Sequence, residues 1–453
     1  MSQTVSINPF TGEEIKSYKN HSLKEVNEII DHADERFQSW RRTSFLERAN
    51  LMRAAAEELK RNKEEYAETM VMEMGKPISQ ALAEIEKCAW VCRYYATHAE
   101  EHLEKETVET DADKSYVIYE PLGVILAVMP WNFPFWQVFR FAAPALMAGN
   151  ICVLKHASNV FGCAIHIEEI FRRAGFPKYC FSTLLIESSK VEEVLRNDKI
   201  KAATLTGSGP AGSSVASIAG ENIKKTVLEL GGSNALVVLE DCDMDRTIKT
   251  CINARFQNAG QSCISGKRLL VHESISEEFL GKLVSKIKEL KNGNPMDPDT
   301  FIATLARADL AEDLEEQVKK SVDQGAKILI GGKRDGAYFE PTVLTEVRPD
   351  MPVFKEETFG PVLSVTTFKD LEEAIHLSNH PTFGLGVSVF TQNTEQIERI
   401  LYRFDEGSVF VNELVKSDPR LPFGGVKQSG YGRELSKHGI REFTNRKTIF
   451  IKK

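Results

Sequence analysis

The residue best suited to covalent chemistry is Cys263, in the polar segment FQNAGQSCIS at 256–265. Core cysteines are usually flanked by Leu, Val or Ile, whereas the neighbours here are small and polar. Hydrogen-bond donors of this kind stabilise a thiolate, or an oxyanion that forms beside one. The segment alone fits either a nucleophilic thiol or an inert cysteine in a loop, and inert cysteines are commoner.

A second candidate is Glu229, in the segment LELGG at 228–232. Its neighbours on both sides are leucines, and burial among them would raise the pKa of the carboxyl group. A raised pKa is what a general base near neutral pH requires. The alternative is a glutamate on an exposed turn, which is the usual position for this residue.

The segment GSGPAG at 207–212 matches the pattern G-x-G-x-x-G between a predicted strand and a predicted helix. In that position, backbone N–H groups and the helix N-terminus face a phosphate. The acid expected about twenty residues further on is replaced by Glu229, which has a different context. A nucleotide-binding turn and an ordinary strand–helix turn therefore both remain open. Lys155, at the end of an apolar strand, predicts an anionic partner, or else a lysine that reaches solvent.

The elements that carry these residues alternate between strand and helix. Apolar runs at 124–129, 151–154, 181–186 and 202–206 are separated by helical segments, which predicts a doubly wound parallel sheet. Ligands bind such sheets at the carboxyl ends of the strands, where Asn132, Lys155 and Ser208 fall. A second alternating unit is predicted from Val227 onward, with a boundary near 231–232.

The ends of the chain have a different pattern. Residues 22–102 read as a helical layer, which a capping box at Ser22 and Glu25 opens. The final segment 448–451 reads as a strand that pairs with 115–119 of the same or another subunit. At 453 residues, the chain is too long for one core and predicts two or three domains.

Charge and cysteine content limit the classes of partner. The net charge of −8 argues against nucleic acid or an anionic membrane as the main partner. The 8 cysteines follow no disulfide framework, and the sequence shows no signal peptide and no apolar run long enough to span a membrane. We expect a cytoplasmic protein. Cys88 and Cys92 lie four apart with no second ligand pair nearby, so no metal site is expected.

Five segments together resemble the aldehyde dehydrogenase superfamily, and the resemblance extends over nearly the whole chain. They are PWNFP at 130–134, LELGG at 228–232, GQSC at 260–263, ETFGP at 357–361 and PFGGVKQSG at 422–430. The resemblance implies an α/β fold with a Rossmann-type cofactor domain (1–105 and 122–230) and an α/β catalytic domain (231–428). A small β extension for oligomerisation (106–121 and 429–453) would support a homodimer or homotetramer.

The resemblance also implies a reaction. Cys263 would attack an aldehyde to give a thiohemiacetal, with the oxyanion held by Asn132 and the Cys263 backbone N–H. Hydride would pass to a nicotinamide cofactor, and Glu229 would activate water to hydrolyse the thioester. The residues implied in cofactor binding are Trp131, Lys155, Ser158, Gly207, Ser208, Glu357 and Phe359.

The choice of cofactor depends on the segment 155–158. Relatives that prefer NAD often carry an acid at the position of Ser158, where it repels a 2′-phosphate. Here that side chain is neutral and Lys155 is near, so we expect NADP to be preferred and NAD to be possible.

Two further segments, LKHA at 154–157 and GYGRELS at 430–436, resemble those of a short branch of bacterial succinate-semialdehyde dehydrogenases. Arg140 matches an arginine that grips the substrate carboxylate in that group, although a structural ion pair is the alternative. Ser417 lies in the loop that supplies a second contact, and Arg420 of the same loop would stand in for an arginine that is replaced by Gln257. Phe135, Trp136 and Phe423 suggest aromatic walls.

Other readings stay open. Aromatic walls would suit a medium-chain or aromatic aldehyde, and a CoA-acylating enzyme is a less favoured alternative because Glu229 is present. A scaffold without activity is disfavoured because the catalytic positions are filled. Some relatives carry a second cysteine two residues after the nucleophile and close a disulfide with it; Ser265 stands there, so that switch is not expected.

Overall fold

A computed structural model of the chain describes residues 2–453. The α-helices are Leu23–Trp40, Phe45–Arg61, Lys63–Met74, Ile78–His102, Trp136–Met147, Phe161–Arg173, Val191–Arg196, Gly209–Glu221, Met244–Phe256, Ser276–Lys288, Ala308–Asp323, Pro352–Lys355, Leu371–Asn379, Thr394–Glu398 and Ser436–Glu442. Short 3-10 turns are Ser158–Val160, Ser188–Lys190, Gln257–Gly260, Glu273–Ile275 and Leu401–Arg403.

The strands form several sheets. They are Gln3–Ile7, Glu14–Lys19, Glu106–Thr107, Lys114–Pro121, Val124–Met129, Ile151–His156, Phe181–Thr183, Ile200–Thr206, Lys225–Glu229, Asn234–Val238, Gly266–His272, Lys327–Ile330, Arg334–Asp335, Tyr338–Phe339, Thr342–Thr345, Val362–Phe368, Phe383–Gly384, Val387–Phe390, Val409–Val411, Val426–Lys427, Gly430–Tyr431 and Thr444–Ile451.

The helical layer near the N-terminus forms as its sequence predicts. The Ser22 side chain accepts a hydrogen bond from the backbone N–H of Glu25, and the Glu25 carboxylate accepts one from the backbone N–H of Ser22. The capping box is therefore confirmed. The strands that precede the layer, Gln3–Ile7 and Glu14–Lys19, pair as an antiparallel hairpin. The sequence showed only the turn between them, because neither strand has an apolar face that stands out from its polar surroundings.

The first large sheet has six strands. Its order is Gly430–Tyr431, Lys225–Glu229, Ile200–Thr206, Val124–Met129, Ile151–His156 and Phe181–Thr183. The pairs are parallel except at the first edge, where Gly430 lies opposite Glu229 in an antiparallel pair. The predicted doubly wound sheet is confirmed. The carboxyl ends of its strands carry Glu229 and Lys155.

The second large sheet has seven strands and is also mainly parallel. Its order is Lys327–Ile330, Thr342–Thr345, Val362–Phe368, Gly266–His272, Asn234–Val238, Val387–Phe390 and Val409–Val411. The predicted start of this unit at Val227 is wrong, because strand Lys225–Glu229 pairs with Ile200–Thr206 in the first sheet. The second unit begins with Asn234–Val238, after the turn that contains the predicted boundary.

A third sheet consists of three antiparallel strands, Thr444–Ile451, Lys114–Pro121 and Glu106–Thr107. The C-terminal strand thus pairs with the 115–119 region of its own chain. Gly430 and Tyr431, which the resemblance placed in the oligomerisation segment, pair with the edge of the first sheet. The division into domains as such stays a prediction. In the described chain, no helix is both long and apolar enough to cross a membrane.

One buried side chain joins the first sheet to the C-terminal region. Asn150 is fully buried, and its Oδ1 accepts hydrogen bonds from the backbone N–H of Leu122 at 2.9 Å and of Gly123 at 3.1 Å. Its Nδ2 donates to the backbone oxygen of Phe443 at 3.0 Å. Removing this side chain leaves three backbone groups without their partner, and each such group costs about 1–3 kcal/mol.

We therefore expect Asn150→Ala to lower the free energy of unfolding by about 2–4 kcal/mol, measured by urea unfolding followed by circular dichroism. Asn27→Ala removes an exposed asparagine and serves as the control, with an expected change within about 0.5 kcal/mol. Equal effects of the two substitutions would contradict the role of Asn150.

Candidate active site

Cys263 lies at the end of a strained loop between helix Met244–Phe256 and strand Gly266–His272. Asn258, Ala259 and Gly260 follow one another with φ of 56°, 51° and 73°. Such conformations are costly for residues other than glycine and persist only where the surroundings enforce them. A Cβ on Gly260 would lie 2.3 Å from the backbone oxygen of Gly360, so only glycine fits there. The loop is therefore a shape imposed by its contacts.

Asparagine side chains fasten the loop to the first sheet. Asn258 Nδ2 donates to the backbone oxygen of Asn132 at 2.9 Å and to that of Gln261 at 3.1 Å. Asn132 Nδ2 also donates to the Gln261 oxygen, at 3.1 Å. The predicted oxyanion donor, Asn132, is thereby tied directly to the loop that carries Cys263.

Two buried cations that the sequence did not reveal hold the same loop. Lys267 Nζ donates to the backbone oxygens of Ser262 and Cys263 and to Glu357 Oε1, each at 2.9 Å. Arg255 donates to Ser265 Oγ at 2.7 Å and also to backbone oxygens of the segment 358–360. The one sequence signal that could have identified Lys267 is a lysine within a predicted apolar strand.

Cys263 borders two cavities. The first, of about 170 Å³, is lined by a group that includes Phe133, Trp136, Arg140, Gln257, Ser417, Phe423 and also Lys87. The second, of about 390 Å³, is lined by a group that includes Trp131, Asn132, Gly207, Ser208, Glu229, Glu357 and Phe359. The thiol thus lies where two separately lined spaces meet. The residues predicted to contact substrate line the first, and all those predicted to contact cofactor except Lys155 and Ser158 line the second.

The thiol is protonated at neutral pH in this state. Burial raises the pKa of Cys263 to about 11, and Lys267 and Arg140 oppose that effect in part. Of the eight cysteines, Cys263 is partly exposed and seven are buried. Cys263 is therefore the thiol that a small reagent reaches first.

Glu229 ends strand Lys225–Glu229 and is buried, with its Oε1 lacking a hydrogen-bond partner among the described residues. Burial raises the pKa of this carboxyl well above its usual range; Arg140 opposes the shift and Glu434 reinforces it. The interpretation of Glu229 as an exposed turn glutamate is therefore wrong. A buried, unpaired carboxyl beside a thiol is suited to accept or donate a proton.

The second cavity has the features of a nucleotide site. Trp131 and Phe359 meet edge to face with ring centroids 5.7 Å apart. Glu357 accepts from the backbone N–H of Gly232 at 3.1 Å. Ser208 caps helix Gly209–Glu221 as the predicted glycine turn requires, with its side chain accepting from the backbone of Ala211.

The space around the turn fits a dinucleotide. A Cβ on Gly209 would meet no protein atom within 4 Å, which leaves the helix N-terminus accessible to a phosphate. A Cβ on Gly231 would lie 2.2 Å from Glu357 Oε2, so glycine there admits the carboxylate to the cavity wall. The residues present therefore fit a nicotinamide dinucleotide.

Two of the predicted cofactor residues, Lys155 and Ser158, do not line the second cavity. Lys155 is buried, its Nζ donates to Ser188 Oγ at 3.0 Å, and burial lowers its pKa to about 8. Ser158 is exposed on a 3-10 turn and borders a different cavity, against the N-terminal hairpin. The structure thus does not bring Ser158 together with Ser208.

Arg140 forms the buried ion pair that was one of its two predicted possibilities. Its guanidinium pairs with Glu434, donates to Thr206 Oγ1 at 3.2 Å and lies 4.6 Å from the centre of the Phe423 ring. Arg420 does not border the cavity; its side chain is exposed and pairs with Asp418 at 2.6 Å. The arginine that Gln257 replaces therefore has no substitute in Arg420. The cation that lies closer to the cavity is Lys87.

Comparison with known proteins agrees with this geometry. The model of the aldehyde dehydrogenase family matches residues 2–449. The chain belongs to the aldehyde dehydrogenase family. It is similar to a probable succinate-semialdehyde dehydrogenase (NADP+) of Synechocystis sp., with 51% identity over 98% of this chain and 99% of that protein.

Further relatives are consistent with that placement. Succinate-semialdehyde dehydrogenase (NADP+) 1 of Mycobacterium tuberculosis is 47% identical over 98% of this aldehyde dehydrogenase and 99% of its own length. The crystal structure of succinic semialdehyde dehydrogenase from Streptococcus pyogenes with NADP+ superposes with a TM-score of 0.97. It is 36% identical and covers 99% of this chain and 100% of that one. The predicted fold class is confirmed.

The exposure of the eight thiols predicts selective alkylation. We expect iodoacetamide to modify Cys263 first, at a rate that rises about tenfold per pH unit between pH 7 and 10, because the thiolate reacts and its pKa is about 11. Peptide mapping by mass spectrometry measures this.

Cys242→Ser removes another thiol, a buried one, and should leave the rate unchanged. First modification of a different cysteine, or a rate that levels off below pH 9, would contradict the environment assigned to Cys263.

Proposed function

We propose that this aldehyde dehydrogenase oxidises succinic semialdehyde to succinate with NADP as the hydride acceptor. The observation that carries the proposal is the first cavity, which is small and in which Cys263 faces a wall that contains cations and the Ser417 hydroxyl. A volume of about 170 Å³ lies below the roughly 300–1,000 Å³ that is usual for pockets of drug-sized ligands. A short aldehyde with a carboxylate at its far end suits such a space, and the names of similar proteins support the same substrate.

Cys263 begins the proposed reaction. Its thiol gives its proton to a water molecule, and the Sγ–C bond to the aldehyde carbon forms as the carbonyl π electrons move to oxygen. Asn132, which uses one side-chain N–H on Gln261, offers its second N–H to that oxyanion, together with the Cys263 backbone N–H. The product of this step is a thiohemiacetal on Cys263.

NADP, when bound in the second cavity, supplies a nicotinamide that accepts hydride from the substrate carbon. Trp131, Phe359, Glu357 and the turn at 207–208 would hold it there. As the C=O bond of the thiohemiacetal forms again, Cys263 carries a thioester. The position of Cys263 between both cavities places the carbon that loses hydride beside the cofactor space.

Glu229 completes the proposed cycle. Its carboxylate accepts a proton from water, which attacks the thioester; the C–S bond breaks, and succinate leaves while Cys263 regains a proton. Burial raises the pKa of Glu229, and this makes the group basic enough for the task near neutral pH.

NADP is favoured over NAD by charge. Ser158 is neutral, and Lys155 at the same strand edge carries a positive charge that attracts a 2′-phosphate. Cofactor preference was predicted on this basis, and the naming of similar proteins as NADP enzymes supports it. NAD would be accepted more weakly.

Aromatic substrates are less well suited than the sequence suggested. A cation already occupies one face of each of two predicted aromatic walls: Arg140 covers Phe423, and Lys87 Nζ lies 4.2 Å from the centre of the Trp136 ring. An aromatic aldehyde that stacked on either of these faces would have to displace a cation.

We also propose a cytoplasmic homodimer or homotetramer. Strand Thr444–Ile451 forms an edge of the three-stranded sheet, and Phe450 and Ile451 on it are exposed. Unpaired backbone groups and apolar side chains on an edge strand suit pairing with a second copy of the chain.

A substrate panel tests the specificity. We expect kcat/KM with NADP to be at least tenfold higher for succinic semialdehyde than for hexanal or benzaldehyde, because only the first offers a carboxylate to the cations. The kcat/KM for succinic semialdehyde should also be at least tenfold higher with NADP than with NAD. Equal or higher values for benzaldehyde would contradict the proposed substrate, and a higher kcat/KM with NAD would contradict the proposed cofactor.

Glu229→Gln separates the two halves of the reaction. We expect a rapid burst of reduced cofactor of about one equivalent per site, followed by steady turnover about 100- to 10,000-fold slower than wild type, because thioester hydrolysis lacks its base. Stopped-flow absorbance measures both phases. Unchanged steady turnover would contradict this role, as would acyl-CoA formation when CoA is added to the wild-type enzyme.

A further inference from the structure

Lys87 is a cation that lines the substrate cavity and has no role in the reaction steps proposed above. It belongs to helix Ile78–His102, is half-buried and lines the cavity that Cys263 borders. Its Nζ donates to Ser417 Oγ at 2.8 Å and lies over the Trp136 ring. Its hydrogen-bond partner is thus a neutral hydroxyl.

The anions near Lys87 are committed to other partners. Glu84 forms a buried ion pair with Lys76, and its Oε1 also accepts two backbone N–H groups at the start of helix Trp136–Met147. Asp418 pairs with Arg420. The positive charge of Lys87 is therefore the least compensated charge at the cavity.

Arg140 differs from Lys87 in this respect. Glu434 neutralises its guanidinium, whereas Lys87 is desolvated and repelled by Arg140, and both effects lower the pKa of Lys87, to about 8. An anion placed beside a cation that is partly desolvated and repelled by another cation stabilises its charged form. The cavity therefore favours an anion beside Lys87, a preference that Arg140 alone would not create.

Lys87 and Ser417 are adjacent donors on the wall of the first cavity. An ammonium has three N–H donors, and Lys87 uses one on Ser417 Oγ. Because Ser417 accepts that bond, its own O–H remains free to donate. Two adjacent donors of this kind match the oxygens of a carboxylate.

We propose that Lys87 and Ser417 together bind the distal carboxylate of the aldehyde, and that Lys87 determines the preference for carboxylate-bearing over neutral aldehydes. This inference rests on the proposed function and adds Lys87 to it. Lys87 acts on substrate binding, while Cys263 and Glu229 act on the reacting carbon.

The test compares two aldehydes of equal chain length, succinic semialdehyde and butanal, in the same enzyme preparation. The measured quantity is the ratio of their kcat/KM values, which is independent of the fraction of folded enzyme. Lys87→Met keeps the length of the side chain and removes its charge. We expect it to lower this ratio about 10- to 100-fold, mainly through KM for succinic semialdehyde, because hydrogen bonds to charged groups contribute about this much.

Two variants control the result. Lys87→Arg retains the charge and should recover most of the ratio. Lys416→Met removes the neighbouring lysine, which also borders the cavity but is exposed and paired with Glu413 at 3.0 Å, and should leave the ratio within about twofold of wild type. A ratio that fell equally in Lys416→Met would indicate a general effect of charge and overturn the role of Lys87.

The pH dependence provides a second readout. In wild type, the ratio should fall as pH rises through about 8, because Lys87 loses its proton there; butanal cancels ionisations common to both substrates. The charged or titratable groups that face Lys87 are Glu84, Cys88, Arg140 and Asp418. In Lys87→Met the ratio should no longer change across this range.

The outcomes separate this inference from the proposed function. A wild-type ratio near one would overturn the proposed substrate itself. A high wild-type ratio that Lys87→Met retains would overturn only the role of Lys87 and leave carboxylate binding to the other donors of the cavity, Ser417 and Arg140. A high ratio that Lys87→Met lowers and Lys87→Arg recovers supports both.

Discussion

The structure depends on one constraint, the enforced shape of the loop 257–263. Consecutive left-handed residues turn the chain so sharply that Cys263 emerges between two cavities, and a loop free of its contacts would not keep this conformation. The contacts come from two sides. Asn132, which follows strand Val124–Met129 of the first large sheet, holds one side, and the buried cations Arg255 of helix Met244–Phe256 and Lys267 of strand Gly266–His272 hold the other. The same loop thereby fixes the thiol, the proposed oxyanion donor Asn132 and the Glu357 carboxylate relative to one another.

Burial of charge is the second theme of the site. The thiol of Cys263 and the carboxyl of Glu229 both have raised pKa values because the protein around them excludes water, and Lys87 has a lowered one for the same reason. Each of these groups is in the less charged form more often than in water. An anionic substrate at Lys87 and a positively charged nicotinamide ring near Cys263 would each restore part of the missing compensation. Ligand binding would thus offset part of the free-energy cost of burying these groups in the ligand-free protein.

Sequence reasoning located the parts of this arrangement that lie in distinctive local patterns. Cys263, Glu229 and the turn at 207–208 stand out by their neighbours. The rule for parallel sheets placed Asn132, Lys155 and Ser208 at the carboxyl ends of strands, and of these Asn132 and Ser208 line the second cavity. Lys87 could not be found in this way, because one lysine in a 25-residue helix is a common surface residue until tertiary packing turns it inward. Lys267 raises the same difficulty, since its carboxylate partner Glu357 is 90 residues away in sequence. Arg140 was identified, but its partner Glu434 was not, because that residue lies near the other end of the chain.

The central claim is that the substrate is joined covalently to Cys263 between the two cavities. Acid quenching of the enzyme during turnover of succinic semialdehyde with NADP, followed by peptide mass spectrometry, tests it most directly. The account predicts a succinyl thioester on the peptide that contains Cys263, accumulating with reduced cofactor. Reduced cofactor formed without any adduct on Cys263, or with an adduct on another residue, would contradict it.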